Sequence, residues 1–358
     1  MKLLITADIH NGIPNRIQDT IWSMSIIRQY AEENDIRDIM VAGDLFHDRV
    51  NINISVLNNV YDELNKAAKI NQKWHIFPGN HDMFLKNSWK ITSLHILNNI
   101  HQIYENVTII KLDEQRFWIV PFIYYEKDYM EVINKINLKA SKEDVLITHI
   151  GVNGATLNEC FLLKNWNIVD FKDTIFRKIF TGHFHCYQSL DDRVYYPGSP
   201  IPFKFDEGVV DHGFIIYDTE DNSINFIKIR EVAKEFSNYL PPDFITILDV
   251  DLDKNKHWCK GNNVKLIITE DKTSNEIMEM KKLVYESGAV SVTQALPKKE
   301  IKTVKELSRI PSSPDDFFKE YVKQDDPKLD IKLLDQLHDI IKKEVDQRRV
   351  IEEVEEDA

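Results

Sequence analysis

The chain has 358 residues, 43% of them hydrophobic and 29% charged, a composition that excludes whole-chain disorder and leaves room for more than one domain. Its 58 acidic and 45 basic residues give a formal charge of −13, which argues against a protein that grips nucleic acid by itself through Lys and Arg but leaves a metal-dependent nuclease open. Its short apolar runs and three scattered cysteines, Cys160, Cys186 and Cys259, predict no signal peptide, no membrane span and a reducing, cytoplasmic compartment.

Strands and helices are predicted to alternate along the first two thirds of the chain. Residues 2–7 have the pattern of a buried strand, and residues 16–33 that of an amphipathic helix. The next predicted elements are a strand at 38–42, a helix at 54–70, strands at 74–77, 107–111 and 117–121, a helix at 127–137, and strands at 144–148, 178–181, 193–196, 214–217 and 224–229. This βαβ order predicts one layered α/β unit over the first 230 or so residues.

A rigid connector at Pro241-Pro242 is predicted to end this unit, because proline cannot continue a helix. Beyond the connector, strands at 245–250, 264–269 and 290–295 and a helix at 275–286 predict a small α/β module. A lysine-rich link then leads to Ser313-Pro314-Asp315-Asp316, which has the N-cap, the proline at N1 and the acidic first turn of a helix start.

Two short helices are expected after Ser313, and they carry more apolar surface than they can bury against each other. The apolar side chains include Phe317, Phe318, Tyr321, Leu334 and Leu337. Either these residues pack against the chain's own core or they bind a partner. Because a linker precedes them, we expect a partner-binding segment.

Potential metal ligands follow five of the predicted strands. They are Asp8 with His10, Asp44 with His47, Asn80 with His81, His149, and His183 with His185. Functional groups of open α/β sheets collect outside the carboxyl ends of strands, and glycines at 43, 79 and 182 allow the backbone to approach closely there.

Spacing and donor type suggest how these residues would share a site. In extended backbone, residues i and i+2 point to the same side, so Asp8/His10 and His183/His185 are each expected to offer two ligands to one pocket. A carboxylate can bridge two cations, which makes Asp44 the expected hub. Taken singly, each motif is more often a turn or a helix cap, but together the five predict a dinuclear metal site.

The ordered motifs DxH, GDxx, GNHD, H and GHxH resemble those of the calcineurin-like metallophosphoesterase superfamily. This resemblance implies an α/β fold, a layered metallophosphoesterase sheet sandwich flanked by helices. It implies two divalent metal ions, one held by Asp8, His10, Asp44 and His185 and the other by Asp44, Asn80, His149 and His183. His81 would be the histidine that meets the scissile phosphate.

Three further features resemble the SbcD-type nucleases, the nuclease subunits of SbcC/SbcD repair complexes. They are the sequence GDLFH, the blocks THIGVNGA and YPGSPIPFKFDE, and the order of small α/β capping domain, linker and helical pair. This resemblance implies a manganese-dependent DNA exonuclease and endonuclease, working with an SbcC-like coiled-coil ATPase as a homodimer within a heterotetramer, in the host cytoplasm if the source is viral. His47 would be either a second histidine near the phosphate or a residue that orients a ligand.

The predicted domains are a metallophosphoesterase (nuclease) domain at 1–238, an α/β capping domain at 239–297, a linker at 298–311, an ATPase-binding helical segment at 312–346 and an acidic tail at 347–358. Two alternative functions stay open. One is a phosphatase or cyclic-nucleotide phosphodiesterase on the same scaffold, and the other is a non-catalytic DNA-tethering subunit. The intact ligand set speaks against the second, because a decayed site would be expected to have lost a ligand.

Overall fold

The structure, a computed structural model, describes residues 1–85, 88–156, 168–208, 210–269 and 272–295. All of these residues belong to one compact unit, Met1–Pro297. The predicted helical pair with Phe317, Phe318, Tyr321, Leu334 and Leu337 lies outside the described residues, as does Cys160. No helix within the described ranges is long and apolar enough to cross a membrane.

Strands and helices alternate up to Ile76 as the sequence predicts, and a run of strands then precedes the third helix. The elements before residue 138 are β1 (Lys2–Thr6), α1 (Ile17–Glu33), β2 (Asp38–Val41), α2 (Ile54–Lys69), β3 (Lys73–Ile76), β4 (Met83–Leu85), β5 (Ser88–Thr92), β6 (Gln102–Ile103), β7 (Thr108–Leu112), β8 (Gln115–Val120) and α3 (Glu126–Asn137).

The elements after residue 138 are mostly strands, and the last of them form a separate small sheet. They are β9 (Val145–His149), β10 (Gly151–Val152), β11 (Ile168–Val169), β12 (Lys178–Gly182), β13 (Gln188–Leu190), β14 (Val194–Tyr196), β15 (Gly213–Asp218), β16 (Ile224–Lys228), α4 (Ile229–Val232), β17 (Phe244–Leu248), α5 (Leu252–Asn255), β18 (Asn263–Ile267), α6 (Ser274–Glu286) and β19 (Ser291–Ala295).

Two six-stranded sheets form the core of the unit Met1–Pro297. Their strand orders are β16-β15-β1-β2-β3-β6 and β13-β14-β12-β9-β8-β7. In the first sheet β1, β2, β3 and β6 pair in parallel, and in the second sheet β8, β9, β12 and β14 do so. The carboxyl ends of the central strands in each sheet therefore point to one common edge.

The sheets pack face to face because their strands alternate apolar side chains between two buried faces. Leu3 and Ile5 of β1 lie in one core cluster with Ile119 and Ile147 of the other sheet, whereas Leu4 faces α1 and α2. The outer face of the second sheet packs against α3 in a third cluster. The layered sheet sandwich flanked by helices, expected from the sequence, is thus confirmed.

The small sheet after the proline connector has its own apolar core. Its strands pair in parallel in the order β17-β18-β19, and α6 packs beside them through Val284. A capping box starts α6: the Thr273 side chain accepts the backbone N–H of Glu276, and the Glu276 side chain accepts that of Thr273.

Candidate metal centre

The loops after β1 and β2 lie side by side and bring the first ligands together. The backbone N–H of Asp8 donates to Gly43 O (3.1 Å), and that of His10 donates to Asp44 O (3.0 Å). Asp8, His10 and Asp44 have φ angles of 52°, 53° and 54°, in the left-handed region that non-glycine residues rarely adopt.

The expectation that extended backbone orients the DxH pair is therefore wrong, although Asp8 and His10 do converge. Left-handed turns, not a continued strand, direct the two side chains into one pocket. His183 likewise departs from extended backbone, with φ of 104°. Backbone strain of this kind concentrates at functional sites, where the surrounding packing maintains it.

One group of ligand atoms gathers around His10 and His185. Their Nε2 atoms lie 3.1 Å apart. His10 Nε2 is 3.7 Å from Asp44 Oδ2. Asp8, His10 and His185 each offer an atom to a set that lies within 4.8 Å. This is the grouping that the resemblance implies for the first metal ion.

A second group gathers around Asn80. Asn80 Oδ1 lies 3.2 Å from His149 Nε2 and 3.0 Å from His183 Nδ1. His149 Nε2 in turn lies 3.3 Å from Asp44 Oδ2. Asp44 therefore contacts both groups, as a bridging ligand must.

Hydrogen bonds from Nδ1 fix the orientation of two of the ligand imidazoles. His149 donates Nδ1–H to the carbonyl of Ala42 (2.8 Å), and His185 donates Nδ1–H to Glu207 Oε1 (2.9 Å). In its neutral form, each ring thereby presents Nε2 as an acceptor toward the cluster. Asp8 is held by the backbone N–H of His183, which lies 3.1 and 3.0 Å from its two carboxylate oxygens.

Glycine is required where the backbone passes closest to the ligands. A Cβ on Gly43 would lie 2.3 Å from His149 Nδ1, and one on Gly79 would lie 2.2 Å from Asp44 Oδ1. A Cβ on Gly182 would meet Ala42 O at 2.2 Å. The ligands can therefore approach one another only because these three positions carry no side chain.

Burial and the charges of neighbouring groups together set the pKa values of the cluster. Burial raises the pKa of Asp8 to about 6 and lowers the pKa of His183 to about 3. Burial alone would lower the pKa of His149, but the charge of Asp44 raises it to about 9. Burial would likewise raise the pKa of Asp44, yet the charge of His149 holds it well below its usual range.

The donor set fits two divalent cations. Asp8 and Asp44 are buried carboxylates, exposed by 0% and 2%, and buried charges of like sign require compensation. Carboxylate, amide and imidazole donors together suit manganese, iron or zinc better than copper or a thiolate-bound ion.

His47 and His81 lie beside the cluster without belonging to the predicted ligand set. Both are half-buried, and their rings stack at 5.5 Å with an interplanar angle of 15°. His81 donates its backbone N–H to Asp44 Oδ1 (2.8 Å), and its Nδ1 donates to the carbonyl of His47 (2.6 Å). His47 Nδ1 lies 3.4 Å from His10 Nδ1, close enough for His47 to orient that ligand.

Four residues that the motif analysis did not assign also shape the site. Asp82 accepts the backbone N–H groups of Leu45 (3.2 Å), Phe46 (2.9 Å) and Gly79 (3.1 Å), and so fastens the Asp44 loop to the Asn80 loop. Glu207, Phe122 and Phe203 contact the ligand histidines. Asp82 is the last letter of GNHD and Glu207 the last of YPGSPIPFKFDE, so their motifs held the signal.

Comparison with known families decides the family. Residues 1–187, more than half of the chain, match the family described as calcineurin-like phosphoesterase. The chain belongs to this family. The calcineurin-like fold binds two divalent metal ions, and all residues of the Asp/His cluster lie within the matched residues. Phe203 and Glu207, which contact the ligand histidines, lie beyond the match.

Relatives of the calcineurin-like chain include proteins of three viruses. It is 26% identical over 279 residues to a protein of Invertebrate iridescent virus 6 named as a candidate phosphoesterase, 244L, covering 73% of this chain and 94% of that one. It is 22% identical to the similarly named 078R of Invertebrate iridescent virus 3, covering 57% and 55%. It is 23% identical to an uncharacterised mimivirus protein, R555, but spans only 15% of its length.

Among solved structures, the chain is similar to a dimetal phosphatase from Danio rerio. The identity is 11% and the TM-score 0.36, with 60% of this chain and 91% of the other covered. Because the TM-score is low, this likeness adds nothing to the family assignment.

Proposed function

We propose that this calcineurin-like phosphoesterase is an SbcD-type nuclease that hydrolyses phosphodiester bonds of DNA with two Mn²⁺ ions. The observation that carries the proposal is the pair of stacked imidazoles, His47 and His81, beside a complete ligand cluster. The GDLFH sequence that contains His47 supports the same branch of the family.

The chemistry needs more than metal ligands. When bound, two divalent ions supply charge stabilisation and an activated water for in-line attack on phosphorus. The leaving group of a DNA phosphodiester is an alkoxide, which needs a proton or a strong hydrogen bond as the P–O bond breaks. His81 Nδ1 is engaged by the carbonyl of His47, so its Nε2 is the atom offered to the phosphate.

The proposal includes a partner and a compartment. With a formal charge of −13, the chain is a poor stand-alone DNA-binding protein, and an SbcC-like coiled-coil ATPase would supply the basic surface and ATP-driven access to DNA ends. The partner would bind the segment with Phe317, Phe318, Tyr321, Leu334 and Leu337. We propose a homodimer within a heterotetramer, acting in the cytoplasm.

The direct test is digestion of end-labelled double-stranded DNA with Mn²⁺, Mg²⁺ or chelator. We expect Mn²⁺-dependent cleavage that falls about 100-fold or more in His81→Ala, as loss of an acid–base group does. His257→Ala, which changes an exposed histidine of the small sheet's module, is the matched control and should cleave normally. Absence of cleavage by the wild-type protein, repeated with the cognate ATPase, would contradict the proposal.

His47→Ala separates the two roles open to His47. If His47 faces the phosphate, the variant loses cleavage but binds Mn²⁺ as the wild type does. If His47 orients His10, the variant also binds Mn²⁺ more weakly.

The second candidate is a phosphatase or cyclic-nucleotide phosphodiesterase, with which the naming of two viral relatives as phosphoesterases is compatible. Rapid hydrolysis of a small phosphomonoester or a cyclic nucleotide, together with intact DNA, would establish this function instead. A DNA-tethering subunit would bind DNA and cleave none of these substrates.

A further inference from the structure

A buried carboxylate, Glu207, lies behind one of the predicted ligands and is exposed by only 1%. Its Oε1 accepts Nδ1–H of His185 at 2.9 Å, and its Oε2 accepts the backbone N–H of Phe203 at 2.8 Å. Both oxygens are therefore engaged, one by the imidazole and the other by the loop that carries Glu207 itself. The residue fixes the ring of His185 and the loop conformation at the same time.

The same loop provides an aromatic wall for the first metal group. The ring of Phe203 stands edge-on to His10, with centroids 5.6 Å apart, and to His185, with centroids 5.5 Å apart. The histidines of the second group, His149 and His183, instead face Phe122 at 6.2 Å each. Loop 202–208 thus contacts two histidine ligands of one predicted ion, whereas the two histidines of the other lie against Phe122.

On its far side, loop 202–208 packs against β17, the first strand of the small sheet. The rings of Phe205 and Phe244 meet edge to face at 5.0 Å. The backbone contact is so close that a Cβ on Gly208 would lie 2.0 Å from the carbonyl oxygen of Phe244. A displacement of β17 therefore cannot leave the loop unchanged.

Arg16 links loop 202–208, the proline connector and β17. Its Nη2 donates to the carbonyl of Pro202 at 3.0 Å, its Nη1 donates to that of Pro242 at 2.9 Å, and its guanidinium lies 5.2 Å from the centre of the Phe244 ring. The side chain is 6% exposed, so these contacts are shielded from water.

We infer that Glu207 is a positioning residue for the metal ion that His10 and His185 would bind. We also infer that Phe244 of the small sheet keeps Glu207 in position. The inference rests on the proposed ligand set and not on the proposed DNA substrate. Residues that orient a metal-ligating histidine change metal affinity by about 10- to 100-fold when they are removed.

The test is calorimetric titration of the metal-free, full-length protein with Mn²⁺. In Glu207→Gln we expect one of the two ions to bind about 10- to 100-fold more weakly while the other keeps its affinity. Asp206→Asn removes the same charge one residue earlier, from an exposed side chain, and should leave both affinities unchanged. If Glu207→Gln does not fold, Glu207→Asp, which keeps the charge but shortens its reach, takes its place.

Phe244→Ala tests the second half of the inference, because it removes the ring that faces Phe205 and Arg16 without touching a ligand. We expect it to weaken the same ion as Glu207→Gln. Unchanged affinities in Glu207→Gln, or equal weakening of both ions, would overturn the positioning role. Unchanged affinities in Phe244→Ala alone would overturn the role of the small sheet. A wild-type protein that binds two ions but cleaves no DNA would contradict the proposed function and leave this inference standing.

Discussion

Gly43 shows how one residue sets the spacing of the metal centre. Its φ is 84°, and a Cβ there would lie 2.3 Å from His149 Nδ1. We expect Gly43→Ala to push the imidazole away from Asp44 and to lower phosphoesterase activity about 100-fold, the loss expected from a misplacement of about 1 Å. Steady-state kinetics of the wild type and Gly43→Ala with Mn²⁺ measure this loss.

Gly154 provides the matched control for backbone strain. Its φ is 91°, close to that of Gly43, but a Cβ there would meet no atom of the described residues within 4 Å. Gly154→Ala should therefore suffer the same strain of about 1 kcal/mol without loss of activity. Equal activity losses in both variants would show that strain, not contact with His149, explains the effect.

At the scale of residues, the sequence predicted which side chains would meet but not how. Spacing and order identified Asp8, His10 and Asp44, because ligand chemistry restricts residue types. The left-handed turns at these positions could not be predicted, since a positive φ at Asp or His depends on the packing that surrounds it. Glu207 ends the block YPGSPIPFKFDE, but its role was missed for a related reason: the sequence does not show which imidazole ring the carboxylate supports.

At the scale of elements, His101 joins a helix to a strand through a neutral imidazole. Its Nε2 donates to the carbonyl of Leu64 in α2 at 2.7 Å, and its Nδ1 accepts the backbone N–H of Trp74 in β3 at 3.2 Å. Burial lowers the pKa of His101. A proton on Nδ1 would oppose the N–H of Trp74, so only the neutral form fits.

This arrangement predicts a pH dependence of stability. Because the pKa of His101 is lower in the folded than in the unfolded chain, its contribution is fully present above the unfolded value of about 6.5 and is lost as the pH falls below it. We expect the free energy of unfolding to fall by up to about 1.4 kcal/mol per pH unit there from this residue. Urea unfolding between pH 7.5 and 5 measures the fall.

His101→Gln isolates the contribution of His101 from those of other titrating groups. Glutamine can donate to Leu64 O and accept from Trp74 N–H but does not titrate in this range. Its stability should therefore decline less steeply than that of the wild type below pH 6.5. Parallel pH profiles for the two proteins would rule out the protonation of His101 as a cause.

The elements predicted best are those with long periodic patterns. Helix α2 was expected at 54–70 and runs from Ile54 to Lys69. The hairpin of β4 and β5 and the two-residue strands β6, β10 and β11 were not predicted, because such short segments show no periodicity to distinguish them from loops. They contribute no predicted ligand, so the site could be inferred without them.

At the scale of the whole molecule, two sheets deliver ligands to one edge, and metal binding should therefore stabilise the entire sandwich. Asp8, Asp44 and Asn80 follow strands of the first sheet, whereas His149 ends β9 and His183 follows β12 of the second. An ion held by ligands of both sheets would cross-link them and would bind only the folded chain. Mn²⁺ at 100 times its dissociation constant should then add about 2.7 kcal/mol per site.

We expect Mn²⁺ to raise the Tm by several degrees and a chelator to reverse the rise, as scanning calorimetry would record. Asp44→Asn should abolish most of the rise, because Asp44 contacts both ligand groups. Asp48→Asn is the control: Asp48 is exposed, and asparagine keeps the oxygen that accepts the N–H groups of Val50 and Asn51. If Asp44→Asn gained as much stability from Mn²⁺ as Asp48→Asn, the ions would bind elsewhere, and Asp44 would not be the residue that joins the two halves of the centre.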